Sequence, residues 1–168
     1  MKNHSYGKGF IDISGWSKNN KTEVDWWTPP EVFEKLGLEF DLDLASPEGG
    51  VPWLPTKYYY TKEHNGLEKN WFGNVWLNPP YGRFTASWLD KFVEHGNGIA
   101  LVFARTETIW FHKYALQADS LLFTKGRFKF AKNGVQGDYA SIGSLFIACG
   151  NQNSEALKSS GMGWYVEL

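Results

Sequence analysis

The tetrapeptide Asn-Pro-Pro-Tyr at positions 78–81 carries the residue types best suited to chemistry in this chain. It follows the apolar run 75–77, which is typical of a short buried strand. An amide, two prolines and an aromatic ring therefore lie at a strand end, where open α/β sheets bind their ligands. The Asn78 side-chain oxygen and the Pro79 carbonyl can accept two N–H bonds from a planar amino group. The prolines fix the turn, and Tyr81 can stack on a flat base.

The same four residues also fit a plain turn, because Asn-Pro and Pro-Pro are common turn dipeptides. The apolar strand before them and the aromatic residue at position 81 favour the catalytic interpretation. Trp76, two residues before Asn78, is interpreted as a core residue.

The composition predicts one globular domain. Any contact with nucleic acid is expected to be local. The 168 residues suffice for one domain with a proper core. The net charge of −1 excludes a protein that coats nucleic acid with positive charge. Aromatic residues make up 17% of the chain, which fits base stacking as well as a core built from large side chains.

The single cysteine, Cys149, excludes an intrachain disulfide and fits a reducing compartment. Its apolar neighbours indicate a small core residue. With neither a signal peptide nor an apolar stretch of membrane-spanning length in view, we expect a cytoplasmic protein with no membrane partner.

The elements that must position the tetrapeptide begin after a polar, aperiodic segment. Residues 1–24 predict a flexible N-terminal arm before one domain over 25–168. A helix is expected next, with Thr28 as N-cap, Pro29 as the first helical residue and Glu31 completing a capping box. Gly37 ends that helix, whose apolar face is formed by Val32, Phe33 and Leu36.

Later segments alternate between strand and helix patterns, which predicts an α/β domain with a mostly parallel sheet. Two late strands with no helix between them predict an antiparallel hairpin at one edge. The expected elements are a strand over 38–44, a loop over 46–66, strands at 74–77 and 99–103, helices over 86–94 and 107–118, and strands at 121–124, 127–130, 140–148 and 164–166.

Segments 25–29, 40–46 and 76–81, in this order and with Gly66-Leu67 and Trp71 between the last two, resemble the phage-type DNA N-6-adenine methyltransferases (Dam-like). Segments 104–111 and 126–130 resemble later parts of that family. The tetrapeptide itself resembles motif IV of amino-group methyltransferases. The resemblance implies a single-domain, Rossmann-like methyltransferase fold, S-adenosylmethionine as methyl donor, double-stranded DNA as partner and adenine N6 as acceptor.

The resemblance also implies the residues of the site. The catalytic residues are Asn78, Pro79, Pro80 and Tyr81, and the donor-binding residues are Trp27, Thr28, Pro29, Asp41, Asp43, Ala45, Ser46, Asn65, Gly66 and Leu67.

The chain departs from many methyltransferases after its first long strand, because residues 45–50 contain no Gly-x-Gly pattern. The residues alone leave two other interpretations open. Asp41 and Asp43 also fit the solvent face of a half-buried strand, and Asn65-Gly66 also fits a loop turn.

Basic residues indicate where DNA is expected to bind. Arg105 follows an apolar strand and can reach a phosphate or the target base, although a surface arginine near a helix start is the other interpretation. A second group, which fits phosphate contacts or a solvated strand face, has no acid before Asp138 and consists of Lys125, Arg127, Lys129 and Lys132. The four histidines show no metal-ligand spacing, and no metal site is predicted.

The sequence therefore predicts a site-specific DNA methyltransferase that acts on N6 of a flipped adenine. If the gene belongs to a phage, the enzyme acts in the bacterial host cytoplasm. Two alternatives stay open: a methyltransferase for another amino group, such as an RNA base or a protein glutamine, or a catalytically silent DNA-binding phage accessory protein.

Overall fold

The computed structural model describes residues 26–132 and 135–168. The arm predicted for residues 1–24 lies outside these ranges. The strands are β1 (Trp26–Trp27), β2 (Phe40–Asp43), β3 (Thr56–Tyr59), β4 (Val75–Leu77), β5 (Gly98–Phe103), β6 (Ser120–Thr124), β7 (Lys129–Lys132), β8 (Val135–Tyr139), β9 (Ser144–Cys149) and β10 (Gly163–Glu167). The helices are α1 (Pro30–Leu36), α2 (Thr85–His95), α3 (Ile109–Lys113) and α4 (Asn151–Ser159), and two short 3-10 turns cover Gly66–Glu68 and Ala115–Gln117.

Seven strands form the main sheet, in the order β10-β6-β9-β5-β4-β2-β3. β2 is parallel to β3 and to β4, and β4 is parallel to β5. β9 is antiparallel to both β5 and β6, and β10 is antiparallel to β6. Strands β2 to β6 therefore run in one direction, whereas β9 and β10 run in the other. The predicted α/β class is confirmed, but the sheet is mixed, with as many antiparallel as parallel pairings.

The antiparallel hairpin is not at an edge of the main sheet, where the sequence pattern places it. β7 and β8 form a hairpin that pairs with β1 in a separate three-stranded sheet. β9 lies inside the main sheet, between β5 and β6. All residues of β9 are buried, as expected for a strand that is covered on both faces.

Helices cover both faces of the main sheet. Side chains of α1 and α4 pack on one face, and those of α2 and α3 pack on the other. Trp76 is buried on the first face, as predicted, and Cys149 is buried on the second. No helix within the described ranges is long and apolar enough to cross a membrane.

Helix α1 begins one residue later than the sequence predicts. Pro29 is the N-cap, Pro30 is the first helical residue, and no side chain caps the helix. Thr28 does not cap α1, because its hydroxyl accepts a hydrogen bond from Asn78 instead. The end of α1 is as predicted: Gly37 has a φ of 60° and its N–H donates to the Phe33 carbonyl.

Three other elements differ from the predicted pattern. Helix α4 is absent from the prediction because it is largely polar and buries only a narrow stripe around Leu157. β3 lies within the predicted loop 46–66, and its exposed tyrosines at the sheet edge hide the alternation of a half-buried strand. The helix predicted over 107–118 divides into α3 and a 3-10 turn.

Candidate active site

The strand order reverses between β2 and β4, because the chain leaves these neighbouring strands in opposite directions, and we call the place between their ends the crevice. β2 leads to β3 on one side, and β4 leads to β5 on the other. We call the margin where β2, β4, β5 and β6 end, at Asp43, Leu77, Phe103 and Thr124, the C-terminal edge of the sheet. Open α/β sheets bind ligands where the strand order reverses in this way. The crevice is therefore the first candidate for a ligand site.

Asn78 lies directly after β4 at this crevice, and its side-chain amide is held in one orientation. Nδ2 donates to the Trp26 carbonyl at 3.2 Å and to the Thr28 hydroxyl at 3.4 Å. Within the described ranges, Oδ1 accepts no hydrogen bond from the protein. The amide nitrogen is thus used for structure, and the oxygen is left as an acceptor for a ligand.

The two prolines differ in the use of their carbonyls. The Pro80 carbonyl accepts a bond of 3.5 Å from the hydroxyl of Thr85, a buried residue at the start of α2. The Pro79 side chain is buried, and its carbonyl has no donor among the described residues. The Asn78 side-chain oxygen and the Pro79 carbonyl oxygen therefore both lack a donor within the described part of the chain.

Tyr81 packs inward against the end of β5. Its ring lies 4.2 Å from the Phe103 ring, with 22° between the planes. Burial of the hydroxyl raises the pKa of Tyr81 well above its usual range, and the charge of Arg105 opposes only part of that rise. The phenol is therefore neutral at physiological pH. One face of the ring is occupied by Phe103, and stacking of the target base on Tyr81 stays a prediction.

The segment 26–29 lies against Asn78, as the two hydrogen bonds from its amide require. The Trp27 ring packs on Trp53 at 5.5 Å, and Trp53 Nε1 donates to the Thr28 carbonyl at 2.8 Å. Trp27 Nε1 is buried and has no partner within the described ranges. The structure therefore brings the segment of three predicted donor-binding residues, Trp27, Thr28 and Pro29, next to Asn78, and one buried indole N–H in this segment has no described partner.

Asp43, the last residue of β2, is only 3% exposed. Burial raises the pKa of its carboxyl to about 6, although the Ala45 N–H, 3.3 Å from Oδ1, favours the charged form. The buried Ser46 hydroxyl also opposes this rise, but it makes no hydrogen bond of regular geometry with a described residue. Polar groups of Asp43, Ala45 and Ser46 thus lie together at the crevice. In the described part of the chain, His, Cys, Asp and Glu side chains form no group of three that could hold a metal ion.

Asp41 lies nearer the other end of β2 and has a structural contact. Its Oδ2 accepts a bond of 2.8 Å from the N–H of Asn74, just before β4 begins. A Cβ at Gly73 would lie 2.2 Å from the same oxygen, so the turn before β4 fits closely around this carboxylate. Contact between Asp41 and the methyl donor stays a prediction, and the geometry favours Asp43 for that contact.

The segment 65–67 reaches the crevice through a close backbone contact. A Cβ at Gly66 would lie 2.3 Å from the Leu44 carbonyl, one residue beyond Asp43. Lys91 Nζ donates to the Leu67 carbonyl at 2.8 Å and thereby ties the segment to α2. Asn65 has a φ of 51°, in keeping with the turn that its sequence also suggests. Asn65, Gly66 and Leu67 are thus placed beside the end of β2, and their contact with the donor stays a prediction.

Three of the predicted DNA-binding residues follow strands that end at the C-terminal edge. Arg105 follows β5, and Lys125 and Arg127 follow β6. All three side chains are exposed. They therefore lie at the same C-terminal edge of the sheet as Asn78.

The other two predicted DNA-binding residues belong to the small sheet. Lys129 is half-buried, with Nζ 4.6 Å from the centre of the Tyr139 ring. Lys132 ends β7, where its main chain pairs with Trp26 and Val135. The small sheet reaches the active site through β1, whose Trp26 carbonyl binds Asn78.

Sequence reasoning missed Arg83 and Phe84, which follow the tetrapeptide after Gly82. Phe84 is exposed, and the Arg83 guanidinium carbon lies 4.6 Å from the centre of its ring. The signal in the sequence was an arginine next to a phenylalanine, directly after the tetrapeptide and Gly82.

A family model described as DNA N-6-adenine-methyltransferase (Dam) matches residues 16–148, which is most of the chain. No curated protein and no solved structure matches it.

Proposed function

The chain belongs to the DNA N-6-adenine-methyltransferase (Dam) family, and from this premise we propose that it methylates N6 of a flipped adenine at a specific site in DNA. The family gives the class of reaction, DNA N6-adenine methylation, and implies S-adenosylmethionine as the methyl donor. The proposal assigns the reaction to this chain, within a Rossmann-like methyltransferase fold whose crevice between β2 and β4 holds the donor.

The orientation of the Asn78 amide is the observation that carries the proposal. Its NH₂ group is bonded to Trp26 and Thr28, so the carbonyl oxygen faces the opposite way as an acceptor. An adenine amino group offers two N–H donors, which match the Asn78 Oδ1 and Pro79 carbonyl oxygens. A residue that only formed a turn would not need a side-chain amide fixed by two contacts about fifty residues away in the chain.

The residues of the crevice also fit S-adenosylmethionine. The donor carries hydroxyl, amino and carboxylate groups. The Asp43 carboxyl and the Ser46 hydroxyl lie at the end of β2, and the Trp27 indole N–H of the neighbouring segment has no partner within the described ranges. Asp43 suits a hydroxyl or amino group, whereas the indole N–H suits a carboxylate or a ring nitrogen. When bound, the donor supplies an electrophilic methyl group on a sulfonium.

The protein's part in the reaction is to hold the acceptor nitrogen. The lone pair of adenine N6 is delocalised into the ring, and it becomes nucleophilic as the nitrogen approaches tetrahedral geometry. Oxygens of Asn78 and Pro79 that accept both N6 hydrogens favour that geometry and stabilise the positive charge that develops. No strong base is needed before attack, because the methylated amino group becomes acidic and then loses a proton. Holding two reactants in line lowers a barrier by roughly 7–11 kcal/mol in well-oriented systems.

The target adenine must leave the duplex, since its N6 is inaccessible to Asn78 inside the stack. In the proposal, Arg105, Lys125 and Arg127, which are exposed at the C-terminal edge, bind the DNA backbone around the displaced base. Lys129 and Lys132 extend this set along the small sheet in the proposal.

The test is Asn78→Ala, assayed with labelled S-adenosylmethionine and duplex DNA followed by nucleoside analysis. Loss of one preorganised polar contact at a reacting centre lowers turnover by about a hundredfold to a thousandfold. Donor affinity, measured by calorimetry, should change little. Asn151→Ala, on the exposed surface of α4, is the matched control and should keep wild-type turnover.

Wild-type turnover in Asn78→Ala would contradict the catalytic role of the tetrapeptide. Label recovered in RNA or in protein glutamine, with none in DNA, would instead identify a different amino acceptor. Failure of the wild-type protein to bind the donor would identify a catalytically silent member of the family.

A further inference from the structure

Phe84 is an exposed aromatic residue at the mouth of the proposed active site, and the reaction described above gives it no part. It lies three residues after Tyr81, between the end of β4 and the start of α2, and is therefore at the C-terminal edge. Its side chain is 49% exposed. Exposure of so large an apolar ring is unfavourable in water, and here it occurs next to the place where a base must enter.

The turn that carries Phe84 is fixed to the catalytic segment. The Gly82 N–H donates to the Thr85 hydroxyl at 3.1 Å, and the Thr85 N–H donates back to the Gly82 carbonyl at 3.2 Å. The same hydroxyl donates to the Pro80 carbonyl. Gly82 has a φ of 132°, which a side chain would strain. The backbone that carries Phe84 is thus tied to the segment that follows Asn78.

Two arginines occur near Tyr81. Arg83 packs over one face of the Phe84 ring, and Arg105 lies near enough to Tyr81 to affect its pKa. Arg83 and Arg105 are both exposed. In a chain of net charge −1, an exposed arginine on an exposed aromatic ring, with a second exposed arginine near Tyr81, suits a polyanion with stacked rings, which describes duplex DNA.

We propose that Phe84 inserts into the duplex where the target adenine leaves, and that Arg83 binds a phosphate beside the gap; this inference rests on the proposed function. Flipping a base breaks its stacking on both neighbours, and an aromatic ring in the gap restores part of that stacking. Phe84 is a positioning residue in this scheme, because it acts on the DNA that delivers the adenine to Asn78 and not on the reacting atoms.

The experiment compares two duplexes that differ only opposite the target adenine. The target site is first located by sequencing DNA methylated by the wild-type protein. One duplex has thymine opposite the adenine, and the other has an abasic position, which makes flipping easier. Phe84→Ala should lower kcat/KM about tenfold on the thymine duplex, as expected for loss of one stacking contact. It should lower kcat/KM less than about threefold on the abasic duplex, because the unpaired adenine leaves the stack readily there and flipping no longer limits the reaction.

A fluorescent probe gives a readout that does not depend on methyl transfer. With 2-aminopurine at the target position, the wild-type protein should raise the fluorescence as the base unstacks, and Phe84→Ala should raise it several-fold less. Phe84→Leu, which keeps an apolar side chain, should lie between the two. Phe72→Ala is the matched control, because Phe72 is 45% exposed but precedes β4 and so lies away from the C-terminal edge.

Equal defects on the two duplexes, or wild-type fluorescence with Phe84→Ala, would overturn the inference while the proposed methylation stood. A wild-type protein that makes no N6-methyladenine in any DNA but unstacks 2-aminopurine through Phe84 would support the inference and overturn the proposed activity. A wild-type protein that neither methylates nor unstacks DNA would overturn both.

Discussion

Asp41 and Asp43 lie two residues apart on β2, yet their carboxylates have different surroundings. At the start of β4, the Asp41 carboxylate accepts the Asn74 N–H, and the Asn74 amide nitrogen donates to the Glu39 carbonyl. The Gly73 carbonyl accepts the Asn97 amide. At the C-terminal edge, by contrast, Asp43 is buried with a raised pKa, and the polar groups of Trp27 and Ser46 have no regular partner among the described residues.

Hydrogen bonds around Asp41 close one end of the β2–β4 strand pair, whereas the end at Asp43 is open. At the closed end, the Oδ1 atoms of Asn74 and Asn153 are buried without a described partner. Polar groups that remain unsatisfied in a folded protein reduce its stability unless a ligand completes them. The unsatisfied groups at the C-terminal edge therefore cost stability in the protein alone, whereas the opposite end uses the same residue types to hold the strands together.

The largest expected effect concerns how the stability of the protein depends on pH through Asp43, at the open end. Because burial raises the Asp43 pKa from 3.8 to about 6, the folded protein binds a proton more tightly than the unfolded chain does. Wild-type stability should therefore fall relative to Asp43→Asn as the pH rises from about 4 to about 6, by up to roughly 3 kcal/mol. Urea unfolding of both proteins across this range measures the difference. A constant difference would show that Asp43 is not desolvated.

The next prediction is that substitutions of the two aspartates affect different properties, one donor binding and the other stability. Asp43→Ala should weaken S-adenosylmethionine binding by about tenfold to a hundredfold, which corresponds to loss of a hydrogen bond to a charged group. Asp41→Ala should leave that affinity nearly unchanged but lower the free energy of unfolding by about 1–2 kcal/mol, because the Asn74 N–H loses its acceptor. Calorimetry and urea unfolding of both variants are the measurements. A larger loss of donor affinity in Asp41→Ala than in Asp43→Ala would reverse the assignment of the two ends.

The smallest effect concerns cations at the C-terminal edge. Lys125→Ala should weaken DNA binding for all sequences alike and reduce the salt slope of log K by about one. Lys35→Ala is the control: Lys35 is in the last turn of α1, which leads to the start of β2, and its loss should not change the slope. Fluorescence anisotropy across a salt series measures both. An unchanged slope after replacing all of Lys125, Arg127 and Lys129 would place the DNA on another face.

Elements that are buried or sharply ended could be predicted from the sequence. The strands around Trp76 and Leu101 are continuous apolar runs because both faces of the sheet are covered, and Gly37 and Gly96 end their helices with positive φ. The family predicted from three short segments is confirmed. β3 and α4 escaped prediction because one is exposed at a sheet edge and the other buries few apolar side chains.

The sequence predicted where Asn78 lies in the fold but not how its amide is oriented. The motif located Asn78 at a strand end, yet the orientation of its amide depends on Trp26 and Thr28, about fifty residues earlier in the chain. Strand alternation gives Asp41 and Asp43 the same face and cannot distinguish the two ends of the strand. Only the fold shows that the turn before β4 closes around Asp41 and leaves Asp43 at the crevice.

The central position of β9 has a consequence for folding of the chain during its synthesis on the ribosome. β5 and β6 each pair with β9 along their lengths, although β9 is made after the β7–β8 hairpin. Until residues 144–149 have been translated and have left the exit tunnel, the nascent chain presents two apolar strands with open hydrogen-bonding edges. Such edges recruit other chains. Slow translation beyond residue 124 should therefore favour aggregation, and a chaperone that shields these strands should raise the yield of folded protein.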